Sequence, residues 1–323
     1  MPRQARLDRS GTLHHVIVRG IEKRKIVDDS TDRKDFIFRM GRIAADTGTG
    51  IYAWSLMPNH AHILLKSSSF GLSGYMRRLL TGYALYYNRR HRRYGHLFQN
   101  RYKSIICEED IYFKELVRYI HLNPLRAKLV KSFSELDRYG WCGHSVVVGR
   151  QKNDWQDCDY VLRWFGKTAG AARRIYRMFI QKGIDQGRRP ELVGGGLIRS
   201  MGGWSQVKSS RLLGMRERSD ERILGSGEFV DHLLKSVDKK VKHQFVRHDR
   251  MKKIDQFIEK ICKQEGINIK ELKSGSRRGS ISKARSKLAI GLVEEFGISF
   301  AETARQLGVS TSAISKIISR TEK

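Results

Sequence analysis

His60 and His62 stand either side of Ala61 in the run Met57-Pro58-Asn59-His60-Ala61-His62-Ile63-Leu64-Leu65. In an extended strand residues i and i+2 point to one face, so the two imidazoles would lie side by side. Ala61, Ile63 and Leu65 would point the other way, into a core. Pro58-Asn59 reads as the turn that starts the strand. Two imidazoles on a rigid element are half of a metal site that lacks a third ligand. The same pattern also fits two strand histidines that face water or are satisfied by hydrogen bonds, since imidazole serves many roles.

A second run, Arg118-Tyr119-Ile120-His121-Leu122-Asn123-Pro124, carries a phenol and a carboxamide four residues apart. On a helix that spacing puts them one above the other on a single face. Glu108-Glu109-Asp110 supplies an acidic first turn, which suits the helix dipole, and Pro124 is expected to end or kink the helix. If that face looks at the histidines, Asn123 completes a His-His-Asn donor set with Tyr119 beside it. Mixed nitrogen and oxygen donors suit Mg²⁺ or Mn²⁺ better than the sulfur-rich sites of zinc. A cation there would act as a Lewis acid, with a tyrosine beside it to serve as nucleophile. Tyr102 and Tyr112 are rival nucleophiles, but neither has a ligand type four residues on. The sequence does not show that the two runs meet.

These residues need a sheet and a helix to hold them. Residues 13–20 read as a first strand, with His15, Ile17 and Arg19 on one face and His14, Val16 and Val18 on the other. Phe36, Ile37, Met40, Ile43 and Ala44 recur at helical spacing and predict a helix over 29–45. Residues 51–56 and 61–66 predict a hairpin around the Pro58-Asn59 turn. A long helix from Leu72 follows, then a fourth strand at 102–107 and a further strand at 145–148. The long helix, the loop after it and the start of the fourth strand carry Arg77, Arg78, Arg89, Arg90, Arg92, Arg93, Arg101 and Lys103. Interleaved with Tyr86 and Tyr94, these read as a surface that tracks a nucleic-acid backbone. The class is α+β.

Taken in order, His14-His15-Val16-Ile17-Val18-Arg19-Gly20, His60-Ala61-His62, Gly95-His96-Leu97-Phe98-Gln99-Asn100-Arg101-Tyr102-Lys103 and Tyr119-Ile120-His121-Leu122-Asn123-Pro124-Leu125-Arg126 resemble the single-tyrosine HUH transposases. These are insertion-sequence transposases and the REP-associated tyrosine transposases. The resemblance covers roughly the first half of the chain and implies a ferredoxin-like antiparallel sheet with packed helices. It further implies a divalent metal on His60, His62 and Asn123, where the family often has Gln in the third place. Tyr119 would be the nucleophile, cutting single-stranded hairpin DNA through a 5′-phosphotyrosine. The length departs from the shortest members, which end soon after the nucleophile helix.

The chain is accordingly divided into a catalytic domain (1–150), a helical connector of no assigned role (151–250) and a C-terminal domain (251–323). Gly194-Gly195-Gly196 and Gly202-Gly203 read as hinge material, and no G-x-x-x-x-G-K-[ST] is present to support ATP use. Helices are expected from Ile254 and over 282–296, the latter with Lys283, Arg285 and Lys287 exposed. Residues 299–318 have helix-turn-helix spacing: Ala304 permits close packing, Gly308 makes the turn, and Val309, Ile314 and Ile317 fill the angle. Ser310, Thr311, Ser312, Ser315 and Lys316 would face duplex DNA. With Arg277-Arg278, this all-α segment is similar to the DNA-binding domain of the initiator DnaA.

Composition points the same way. Against 33 Asp and Glu stand 63 Lys and Arg, a formal charge of +30 over 323 residues. Such an excess favours a polyanionic partner, with nucleic acid ahead of an anionic membrane surface. No apolar run approaches the ~20 residues that span a bilayer, and the first residues lack the apolar core of a signal peptide. Cys107, Cys142, Cys158 and Cys262 are scattered, forming neither a disulfide framework nor a zinc knuckle, which fits a reducing cytoplasm. Three functions are open: a transposase, a DNA-binding regulator whose HUH domain no longer cuts, and a replication-type nickase. Tyr119 follows the His-x-His run instead of preceding it, which argues against the nickase. A homodimer is left open.

Overall fold

The computed structural model describes residues 7–187, 189–194, 219–241, 245–274, 276, 278–296 and 298–321. The chain falls into two compact units, Met1–Leu72 with Tyr87–Val237 and Ser73–Tyr86 with Asp238–Lys323.

In the first unit, short runs of β-branched and aromatic residues form β1 (Leu13–Arg19), β2 (Gly50–Leu56), β3 (His60–Lys66) and β4 (Lys103–Cys107). They lie in the order β2-β3-β1-β4-β5, where β5 (Ile223–Leu224) is a two-residue edge strand. The first three pairings are antiparallel, as expected. β5 runs parallel to β4, so the sheet is mixed. The register sets Ile17 opposite His62 and Arg19 opposite His60.

Helix α1 (Ser30–Thr47) starts where the Asp29 carboxylate accepts from the amides of Thr31 and Asp32, and stops at Gly48 with φ 64°. Both ends follow ordinary capping chemistry. α2 (Leu72–Arg90) begins in the first unit, but its residues 73–86 belong to the second. α3 (Glu109–Arg126) packs on β2 and β3. It buries Phe113, Leu116, Val117 and Ile120 in a core with Leu13, Tyr52, Leu64 and Ile105. Pro124 does not end α3. It sits in the last turn, and the helix closes after Arg126, where Lys128 takes φ 57°.

Two expectations for the middle of the chain are corrected. Residues 145–148 are not a strand: α5 (His144–Val147) follows α4 (Phe133–Arg138). Burial of His144 and Ser145, with the Ser145 hydroxyl donating to the Cys142 carbonyl at 3.0 Å, overrides the β preference of the valines. The stretch expected as a connector is core: α6 (Cys158–Arg163) and α7 (Ala169–Gln181) bury Val161, Leu162, Ala172, Tyr176 and Ile180 against α3. α8 (Gly227–Val241) follows β5. The glycines at 195–196 and 202–203 lie outside the described residues.

The second unit is helical: α9 (Phe245–Gln264), α10 (Ile269–Lys273), α11 (Gly279–Glu294), α12 (Phe300–Leu307) and α13 (Thr311–Thr321). Ile258, Leu272, Leu288, Leu292, Leu307, Ile314 and Ile318 form its core, and Leu85 of α2 packs on it. Between α12 and α13, Gly308 has φ 66°, and an added Cβ would fall 2.0 Å from the Lys273 carbonyl oxygen, so only glycine fits. Arg285 is buried, against expectation. Its guanidinium donates to the carbonyls of Ser276 and Leu272 at 2.8 and 2.6 Å, closing the end of α10.

Candidate active site

The hairpin that carries the histidines is anchored at its turn. The Asn59 carbonyl accepts from the Gly20 amide at 2.9 Å, and the Pro58 carbonyl from the Ile26 amide at 2.7 Å. The Asn59 carboxamide donates to the Lys23 carbonyl at 3.1 Å and pairs through its oxygen with Nδ1 of His60 at 2.7 Å. Gly20 has no room for a side chain, since a Cβ would meet the Arg24 carbonyl oxygen at 2.1 Å. The turn, and with it His60, is therefore held from residues 20–26.

His60 and His62 do share one face, with ring centroids 5.3 Å apart. Tyr119 of α3 stands edge-on to His62 with centroids 5.7 Å apart. The structure thus brings the two runs together. Asn123 lies one turn beyond Tyr119, 9 % exposed, and its side-chain nitrogen is buried with no hydrogen-bond partner.

A third imidazole completes the cluster. His15 of β1 is fully buried, with its ring 5.1 Å from that of His62 and 5.9 Å from that of Tyr119. Its Nε2 lies 2.9 Å from Nδ1 of His62, and its Nδ1 lies 2.9 Å from the Leu192 carbonyl oxygen. The strand pattern put His15 on a face with Ile17 and Arg19, but periodicity within one strand cannot name the neighbour on the next. Leu192 could not be read from sequence at all.

The segment around Leu192 frames the site elsewhere. The Gly183 carbonyl accepts from Arg126 Nη2 at 3.1 Å, and the Val193 carbonyl from Lys103 Nζ at 2.6 Å. Arg189 pairs with Glu191 and with Glu115 of α3. Arg126 itself stands 5.6 Å over the Tyr119 ring, and its Nε and Nη1 are buried without partners. A half-buried cation beside a phenol, with N–H groups to spare, is suited to an anion.

Burial governs the electrostatics. It lowers His15 and His60 to about 4 and carries His62 well below its ordinary value, with the neighbouring imidazoles and Arg19 adding to the effect. All three rings are neutral at pH 7, the state in which imidazole donates a lone pair. Burial also raises the Tyr119 phenol. The Arg126 cation opposes that shift and Glu191 adds to it.

Two neutral imidazoles on one face and, on the facing helix, a carboxamide whose oxygen can ligate are donor types that suit a hard divalent cation. Another cluster, Asp28, Asp32 and His91, brings its ligand atoms within 4.8 Å of one another. Its Asp32 is already engaged, with Arg90 at 2.6 Å and His91 at 2.9 Å.

The expected basic surface divides. Arg77, Arg89, Arg92, Arg101 and Lys103 are exposed and Arg93 half-buried, while Tyr94 is 95 % exposed. Arg78 is buried, and the ion pairs of Arg90 occupy its charge, so neither belongs to an open cationic face. In the second unit Ser310, Thr311, Ser312, Ser315 and Lys316 are all exposed, as is Arg278. Arg277 lies outside the described residues. No helix among the described residues is long and apolar enough to cross a membrane.

Comparison with known proteins finds two likenesses. The family model described as "Transposase IS200 like" matches residues 9–123, a span that holds His15, His60, His62 and Tyr119 and ends on Asn123. The matched span covers 115 of the 323 residues. Among solved structures it is similar to a REP-associated tyrosine transposase bound to a REP hairpin, at 16 % identity and a TM-score of 0.38, over 49 % of this chain and 94 % of that one. No curated protein matches the chain.

Proposed function

We propose that the protein is a metal-dependent transposase that nicks and rejoins single-stranded DNA through Tyr119. The observation that carries this reading is the edge-on placement of Tyr119 against His62, 5.7 Å between centroids, within the span that the IS200-like transposase model matches. His60, His62 and Asn123 would hold Mg²⁺ or Mn²⁺, which when bound supplies Lewis-acid polarisation of the scissile phosphate. The Tyr119 oxygen attacks phosphorus and loses its proton. An O–P bond to tyrosine forms, the bond from phosphorus to the 3′ oxygen breaks, and that oxygen leaves as a 3′-OH. The product is a 5′-phosphotyrosine whose ester bond is kept for rejoining, with no need of ATP. Arg126 favours the phenolate and offers its spare N–H groups to the phosphate. In the second unit, the exposed face of α13 would read duplex DNA.

The test is incubation with Mn²⁺ and labelled single-stranded hairpins, including those from the ends flanking the chain's own coding region. A covalent adduct is expected from the wild type and none from Tyr119→Phe. No adduct with any hairpin would sink the enzyme reading and leave a DNA-binding regulator. An adduct from Tyr119→Phe would move the nucleophile to another residue.

A further inference from the structure

The three clustered histidines are not equivalent. A carbonyl oxygen can only accept, so the 2.9 Å contact between His15 Nδ1 and Leu192 requires Nδ1 of His15 to carry a proton. In a neutral ring Nε2 of His15 then bears a lone pair. That lone pair faces Nδ1 of His62 at 2.9 Å, so Nδ1 of His62 must be the donor. The Nε2 atom of His62 is left deprotonated, and among the described residues no protein group takes it up. His60 reaches the same state by a separate route, with its Nδ1 donating to the Asn59 carboxamide oxygen at 2.7 Å.

From this we infer that His15 is a positioning residue, which with the Leu192 carbonyl fixes the tautomer and ring plane of His62 so that Nε2 is presented to the metal. The inference rests on the metal reading given above. His15 cannot itself be a ligand, because both of its nitrogens are engaged. Ligating imidazoles ordinarily give their second nitrogen to a carboxylate, a carbonyl or water, and that partner sets the tautomer. Here an imidazole does so and passes the requirement on to a backbone carbonyl 177 positions along the chain. Leu192 lies beyond the family match, which ends at residue 123. The residues around it are thereby part of the site, although they lie outside the span that the family model matches.

The experiment uses full-length protein labelled with ¹⁵N-histidine and free of metal, with His62 assigned by the signal lost in His62→Gln. At neutral pH both His15 and His62 are expected as the Nδ1–H tautomer. His15→Phe, which keeps the ring volume but accepts nothing, is expected to release His62 into the Nε2–H form. It should also weaken Mn²⁺ binding, read from free Mn²⁺ by EPR, by about tenfold or more. His15→Gln restores an acceptor and should return the affinity to within about threefold of wild type, a rescue that a packing role would not give. Wild-type His62 found as the Nε2–H tautomer would overturn the inference without any variant, and so would unchanged Mn²⁺ affinity in His15→Phe. Mn²⁺ binding that survives His62→Gln would overturn the metal reading instead, and the tautomer result would still stand on its own.

Discussion

On the function proposed above, removal of Arg126 is expected to separate chemistry from metal binding. Its guanidinium is 5.6 Å from the Tyr119 ring, and two of its nitrogens are buried and unpaired. We expect Arg126→Met to slow adduct formation by ~10²-fold, the usual scale for losing one preorganised donor. Mn²⁺ affinity should hold. Equal rates would remove Arg126 from the reaction. The buried imidazoles bear on stability as well. His14 and His15 are lowered from 6.5 to about 4 by burial. The unfolded chain protonates them near 6.5, so below that pH it binds more protons than the folded chain. Stability is therefore full above about pH 6.5 and is lost as pH falls towards 4, by at most ~3 kcal/mol per ring. Urea midpoints at pH 7.5 and 4.5 check this, and equal midpoints would contradict it. At this scale the sequence carried much of the site, because i+2 on a strand and i+4 on a helix are local rules. They pair His60 with His62 and Tyr119 with Asn123. His15 was visible only as a face, and Arg126 only as part of a motif, because their roles depend on what stands opposite.

Between α3 and α7 runs a buried polar chain. The Tyr176 hydroxyl lies 2.7 Å from Nδ1 of His121 and 2.8 Å from Nδ1 of His144, and Nε2 of His144 donates to Asp137 at 3.0 Å. Tyr176→Phe strands both Nδ1 atoms in the core and is expected to cost ~1–3 kcal/mol. Urea unfolding measures it, and Mn²⁺ affinity should not move. A loss below ~0.5 kcal/mol would mean that the chain is not a structural tie. In the second unit Gly308→Val places a β-branched residue at φ 66° against the Lys273 carbonyl. It should destabilise that unit by more than ~1 kcal/mol, seen as a lower Tm for loss of helix signal. The four antiparallel strands, α1, α3 and the C-terminal helices follow from period and capping. Residues 145–148 and Arg285 did not follow. Valines fit a strand until a buried histidine fixes a helix, and an arginine fits a solvated face until two carbonyls need donors.

For the whole molecule, the charge of +30 over 323 residues leads us to expect that the proposed binding of nucleic acid depends steeply on salt. Removing the C-terminal unit to test duplex binding would also strip Leu85 of its packing partners, so substitution is the cleaner course. Ser312→Glu with Lys316→Glu should weaken duplex binding at least tenfold and leave adduct formation on hairpins intact, an outcome that gel shifts and adduct gels report together. Unchanged duplex affinity would count against the α13 face. The edges of the sheet have a consequence of another kind. On the outer side of β2, Ile51, Trp54 and Leu56 are bonded to Asp157, Gly143 and Trp141, and on the far side β4 is bonded to the residues of β5. An open strand edge is a template onto which another chain can add. Among the described residues, this sheet offers a newcomer little more than the two residues of β5. Copies of the chain brought together on one DNA, as proposed above, would find little of this sheet's edge to share.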